Sequence, residues 1–193
     1  MIKYPDGSSP KVNIQKVAKG RRLLSSANRG MNLEEDINIS NQYYIDKEMA
    51  VITKRPTPIN VVKVDYSHGA KITDAYFERQ STTDYNGVYR GKYLDFEAKN
   101  TKLRTSLPLS NITKHQIDHL RKVIKHGGIA FFIIRFEALD ETFLLDASFV
   151  IAAFAGEKRK SIPYSDIKLN GYLIKKGFIP RLFYLEVVDS VYF

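Results

Sequence analysis

Tyr93-Leu94-Asp95-Phe96-Glu97-Ala98-Lys99 is the stretch that decides the fold. Side chains on a β-strand alternate between faces with a period of two. Asp95, Glu97 and Lys99 therefore share one face, while Leu94, Phe96 and Ala98 point the other way, into a core. Asp84 stands a short distance upstream. An acid placed ahead of a strand that ends in Glu-x-Lys can hold a divalent metal and hydrolyse phosphodiesters. That reaction needs a nucleophilic water, stabilisation of charge on the phosphate and help for the leaving oxygen, and a carboxylate-bound Mg²⁺ supplies much of all three. Magnesium takes oxygen ligands and keeps several waters, so two carboxylates and a carbonyl or amide are enough. Asp84 and Glu97 are the candidate carboxylates, with the Ala98 carbonyl as a further candidate ligand. Lys99 can orient the attacking water or stabilise transition-state charge. Plain solvated charge on a strand has the same spacing, and spacing alone leaves both readings open.

Outward from this strand, a turn at Arg90-Gly91 leads into it, and Ser81-Thr82-Thr83-Asp84-Tyr85-Asn86-Gly87 reads as a polar bend before that turn. The chemistry thus sits on a hairpin. Further upstream, Leu33, Ile37 and Tyr44 recur at spacings of four and seven, which predicts an amphipathic helix over Met31 to Lys47. Glu34, Glu35 and Asp36 fall in its first turn, where acids suit the positive end of the helix dipole; that alone accounts for Glu34. Ala50 to Thr53 and a Pro56-Thr57-Pro58 break follow. Ile59 to Tyr66 and Lys71 to Arg79 read as extended segments about Ser67-His68-Gly69, a long hairpin or projecting arm at residues 60–80.

Downstream, residues 100–112 read as irregular and polar, with Lys102 and Arg104 available to a phosphate backbone. Thr113-x-x-Gln116 fits a capping box, Ile117, Leu120 and Ile124 form a helical stripe, and Gly127-Gly128 can end the helix. Ile129 to Phe136 is a buried strand by its continuous apolar character, Thr142 to Leu145 pairs with it, and Ala147 to Ala155 is a short helix. Gly156 to Ser161 reads as a basic loop, and the rest to Phe193 as a mixture of short elements. The order predicts an α/β architecture, a mixed sheet with a helix covering each face. His115 and His119 have a zinc-binding spacing, but no glutamate follows the first and no third ligand is apparent, so a solvent-facing pair is expected.

With 193 residues the chain suits one well-cored domain plus a tail. It has no cysteine, no apolar run long enough for a bilayer and no hydrophobic N-terminal stretch, which predicts a cytoplasmic protein without thiolate sites or disulfides. The net charge is +9. Residues 1–29 hold Lys3, Lys11, Lys16, Lys19, Arg21, Arg22 and Arg29 against Asp6 alone, a net +6. A polyanion is the natural partner, nucleic acid ahead of a membrane surface because the tail shows no amphipathic helix. A solubilising tail fits the charge equally well.

Asn28-Arg29-Gly30-Met31 with Leu33-Glu34, Lys54-Arg55-Pro56-Thr57-Pro58, the Ser81 to Gly87 stretch, Asp95-Phe96-Glu97-Ala98-Lys99 and His115-Gln116-Ile117-Asp118-His119 closely resemble the RecU family of Holliday junction resolvases, in the family's order. The likeness runs from residue 28 to 126, with a weaker echo at Val191-Tyr192-Phe193. The resemblance implies a restriction-endonuclease-like fold built around a PD-(D/E)xK site, with a nuclease domain over residues 28–193 behind a flexible basic tail of residues 1–27. It also implies a homodimer, dependence on Mg²⁺ with Mn²⁺ able to substitute, and symmetrical incision of four-way junction DNA in recombination and repair. A cytoplasmic, nucleoid-associated place and partnership with the recombinase and branch-migration machinery come with it.

By position, Thr82, Asp84, Glu97 and Gln116 resemble the family's metal-site residues, Lys99 its transition-state stabiliser and Glu34 an additional acid near the site. The capping box offers Gln116 a structural task as well. Arg29, Lys63, Lys71, Lys102 and Arg104 are the expected DNA contacts, reading backbone and shape rather than base sequence. One departure concerns the arm, which in the family carries a basic Pro-Lys-Arg-like stretch and is thought to enter the junction centre. Here Tyr66-Ser67-His68-Gly69-Ala70-Lys71 stands in its place and is shorter, which leaves Lys63, His68 and Lys71 as the local cations. Junction preference rests on this altered arm, and nuclease activity on the carboxylates and Lys99. A nuclease of the same superfamily acting on another DNA structure, and a non-catalytic module that binds junctions and regulates a recombinase, remain as alternatives.

Overall fold

Strand alternation sorts the chain into layers. The computed structural model describes residues 32–78, 82–156 and 159–193; the expected basic tail, Arg29 and Ser81 lie outside the described residues. In chain order the elements are α1 (Leu33–Asp46), β1 (Ala50–Lys54), β2 (Ile59–Asp65), β3 (Lys71–Phe77), β4 (Tyr85–Tyr89), β5 (Lys92–Thr101) and β6 (Ser106–Pro108). They continue with α2 (Lys114–Lys125), β7 (Ile129–Phe136), β8 (Glu141–Asp146), α3 (Ala147–Ala155), β9 (Ser161–Pro163), α4 (Tyr164–Asn170), β10 (Tyr172–Leu173) and α5 (Tyr184–Tyr192).

Among the described residues six strands form one mixed sheet in the order β1-β4-β5-β7-β8-β10. Its neighbours are antiparallel except β5 and β7, which run parallel and need a crossover; α2 lies within it. The expected mixed α/β sheet is thus present. On one face Leu94 and Phe96 join Leu33, Ile37 and Tyr44 of α1 and Tyr184, Leu185 and Val188 of α5 in a core. Phe96 stacks on Tyr85 at 5.0 Å and on Phe131 at 4.7 Å, a rung across β4, β5 and β7. On the other face Phe132 and Ile134 pack with Ile117 and Leu120 of α2 and Val150 of α3. The register sets Glu97 beside Phe132, on this second face under α2.

A buried charge cluster ties the layers. Asp36, 5% exposed, receives Arg181 Nε at 3.0 Å, and Arg135 Nη2 of β7 lies 2.7 Å from it in an ionic contact without hydrogen-bond alignment. The helix dipole therefore does not account for this member of the acidic first turn, whose counter-charges come from distant segments.

β2 and β3 pair with each other as the expected arm, with both strands exposed almost throughout. Two expectations change. Tyr85-Asn86-Gly87 belongs to β4 rather than to a bend, and residues 106–112 are ordered, with Leu107, Leu109 and Ile112 buried against β9 and α2. The asparagine-glycine pair suggested a turn, but Gly87 is small for another reason: a Cβ there would lie 2.1 Å from the Val51 carbonyl oxygen of β1. Gly87→Ala is expected to force β1 and β4 apart and to destabilise by about 1–3 kcal/mol. Urea unfolding measures this, and an unchanged midpoint would refute the close approach.

Candidate active site

The second face of β5 puts acids where a helix covers them. Glu97 is 1% exposed, and its carboxylate is surrounded by donors. Gln116 Nε2 donates to Oε1 at 2.5 Å, Lys99 Nζ lies 2.7 Å from the same oxygen, and the Asp84 backbone N–H donates to Oε2 at 3.2 Å. Asp84 Oδ2 in turn accepts from the Ala98 N–H at 3.2 Å. Each acid is thus anchored on backbone from the other's segment. Burial and the nearby Asp84 charge push the Glu97 carboxyl up to about 8, against the pull of Lys99. Two carboxylates that close, with one ammonium beside Glu97, lack positive charge. A hard divalent cation suits such a pair of carboxylates.

Gln116 carries two tasks at once. Thr113 and Gln116 form the expected capping box, with the Thr113 N–H donating to Gln116 Oε1 at 3.0 Å. The same amide's nitrogen then reaches Glu97. The cap of α2 and the orientation of the buried carboxylate therefore depend on one side chain.

Asp95, fully buried on the same face, forms a hub that the sequence reading left out of the site. Arg55 Nη2 donates to it at 2.6 Å, Tyr93 Oη at 2.9 Å, and Thr83 Oγ1 donates to its other oxygen. His119 Nε2 lies 2.9 Å away, which corrects the expectation of a solvent-facing histidine pair: His115 is exposed, while His119 is half-buried against the hub. The Arg55 backbone N–H also donates to the Asp84 carbonyl at 2.8 Å. The hub thereby holds the Thr83-Asp84 bend from both sides. Its available signal was the alternation that places Asp95 on the Glu97 face.

Glu34 pairs with Lys54 at 2.5 Å, and its backbone oxygen accepts from the Tyr85 hydroxyl at 3.2 Å. Burial, then the charges of Glu34, Asp84 and Glu97, push the Tyr85 phenol well up. Thr82 is half-buried ahead of Asp84. Lys102 and Arg104 are exposed just past β5, and Lys63 and Lys71 are exposed on the arm, away from the carboxylates in sequence and in pairing. Among the described residues no group of three or more histidines or acids is placed to hold a metal.

Residues 28–190 match the family model described as RecU, Recombination protein U. The chain belongs to the RecU family. RecU relatives extend the match to the whole chain. A protein named Holliday junction resolvase RecU from Geobacillus kaustophilus (strain HTA426) is 51% identical over 197 residues, spanning 100% of this chain and 98% of the relative. Another of that name from Geobacillus thermodenitrificans (strain NG80-2) is 49% identical with the same coverage. A solved archaeal structure, the Archaeoglobus fulgidus Hjc Holliday junction resolvase, superposes with a TM-score of 0.41 at 13% identity, over 71% of this chain and 94% of that one, a likeness too loose to argue from.

The raised Glu97 carboxyl gives this RecU chain a pH signature without metal. Between its ordinary value of 4.5 and about 8, the folded protein keeps a proton that the unfolded chain has released. Stability should therefore fall as pH rises through that window. In EDTA, urea unfolding at pH 5 and pH 8 should show a larger loss for the parent than for Glu97→Gln; equal losses would contradict the assignment.

Proposed function

We propose that this chain is a Mg²⁺-dependent, structure-selective endonuclease that resolves four-way DNA junctions by paired symmetrical nicks, as a homodimer in recombination and repair. The observation that carries the reading is the meeting of Asp84, Glu97 and Lys99 from two segments in a RecU chain about half identical to relatives named as resolvases. The nuclease domain takes residues 28–193, and residues 1–27 form a basic tail for DNA.

Asp84 and Glu97 would hold the metal, with Thr82 and the Ala98 carbonyl as neutral oxygen donors. Gln116 belongs to the same set through its bond to Glu97. Bound there, Mg²⁺ supplies water activation and charge stabilisation at the phosphate, and Mn²⁺, with similar oxygen preference, is expected to substitute. Lys99 Nζ sits beside Glu97, in a pocket where its side chain is 15% exposed, and is placed to face the phosphate as negative charge accumulates. Glu34 adds an acid at the rim. Arg29, Lys63, Lys71, Lys102 and Arg104 supply phosphate contacts, which makes binding salt-dependent.

A twofold protein suits a substrate that needs two matched cuts. The arm supports a partner on it: Val62, Tyr66 and Phe77 are 59%, 75% and 78% exposed, and a lone two-stranded hairpin is marginal in water. The recombinase and branch-migration machinery are partners that the family reading brings with it.

The test is incubation of labelled four-way junction and matched linear duplex with the protein, in Mg²⁺ or EDTA, with products resolved on a denaturing gel. Paired nicks are expected in the junction alone, only with metal. Asp84→Ala and Glu97→Ala should each abolish them while junction binding persists. Cutting of both DNAs would favour a nuclease for another structure, and binding without any cut a regulatory module.

A further inference from the structure

Helix α2 starts at the buried carboxylate and leaves it along a basic flank. Gln116, His119, Lys122 and His126 succeed one another at spacings of three, three and four, so they follow one side of the helix. Gln116 touches Glu97 and His119 touches the Asp95 hub; Lys122 and His126 are exposed. The acid on this helix, Asp118, is already taken by Arg121 at 3.1 Å.

Beside this flank runs an open groove of about 310 Å³ between α2 and the start of β5, lined by Tyr93, His119, Lys122, Val123, His126 and Gly128. Its floor is closed by a glycine: a Cβ on Gly128 would lie 2.6 Å from Val123 Cγ1 and 3.3 Å from Tyr93 Cδ1. Ring and methyl surfaces line the inside, with the Lys122 ammonium and the exposed His126 imidazole at the rim. Such a groove suits a sugar-phosphate chain, with sugars against Tyr93 and Val123 and phosphates on Lys122 and His126.

Resting on the nuclease reading above, we propose that this groove seats the DNA backbone flanking the cut phosphate, with Lys122 as its main phosphate contact. The ten steps from Gln116 to His126 span about 15 Å of helix axis. With one phosphate of a strand per roughly 3.4 Å of duplex axis, a groove lying along that axis reaches about four steps from the cut.

Junction binding, measured without Mg²⁺ over a salt series, tests this. Lys122→Ala should flatten the slope of log affinity against log salt by about 0.9 and weaken binding roughly fivefold near 0.15 M salt. Lys122→Arg should restore both. Lys168→Ala should change neither, because that lysine lies on α4 over the Tyr164 ring at 5.6 Å. Junctions carrying one neutral methylphosphonate locate the contact: within about four steps of the cut it should weaken the parent but add nothing to the loss in Lys122→Ala. A parental salt slope in Lys122→Ala, or losses that multiply at every methylphosphonate position, would overturn the proposal. A parent protein that binds linear duplex as well as junction would sink the junction reading instead, while the Lys122 comparison still reads phosphate contacts on either DNA.

Discussion

A carboxylate that is almost wholly removed from water must be given donors, and Glu97 imposes that demand on everything around it. Strand alternation puts it on the face that α2 covers, next to Phe132. An uncompensated charge there would cost several kcal/mol, on the order of the stability of a domain. The chain answers with an amide from α2, an ammonium from its own strand and a backbone N–H from the segment before β4. The parts needed to satisfy one buried acid are the same parts that bring Asp84 and Lys99 to it.

The same logic recurs in two further clusters. Asp95 collects Arg55, His119, Tyr93 and Thr83, and Asp36 collects Arg135 and Arg181. Each joins segments that the sheet alone would leave loosely related: the Asp95 hub fixes the bend that carries Asp84, and the Asp36 cluster fixes α1 against β7 and the chain before α5. Buried ion pairs are weak sources of net stability compared with apolar packing, but breaking one partner is severe. Their value here lies in placing loops and helices to within hydrogen-bond tolerance of the carboxylate pair.

What could be read from the sequence was what local pattern carries. The alternation in β5, the capping box at Thr113 and Gln116, the apolar run of β7 and the span of α3 all appear where the residues indicate. What escaped was set by distant partners. Gly87 looks like a turn residue until β1 is laid against it, and residues 106–112 look polar until β9 covers Leu107. Asp95 receives donors from residues 40 and 12 positions away, and Asp36 from one 145 away. Within the candidate site Asp84, Glu97 and Lys99 stood out by spacing; Arg55 and Thr83 did not, and His119 stood out only as half of a solvent-facing pair, because a hub is a property of the assembled layers.

The double duty of Gln116 also shapes how such a site could decay. A lineage relieved of the need to cut DNA could replace Glu97 or Lys99 and leave every helix in place. Replacing Gln116 would in addition unpin the Thr113 N–H and loosen the first turn of α2, so drift at this position meets resistance from the fold itself. A glutamine at the head of that helix would then outlast the carboxylate it holds, a vestige kept by architecture after its charged neighbours had changed.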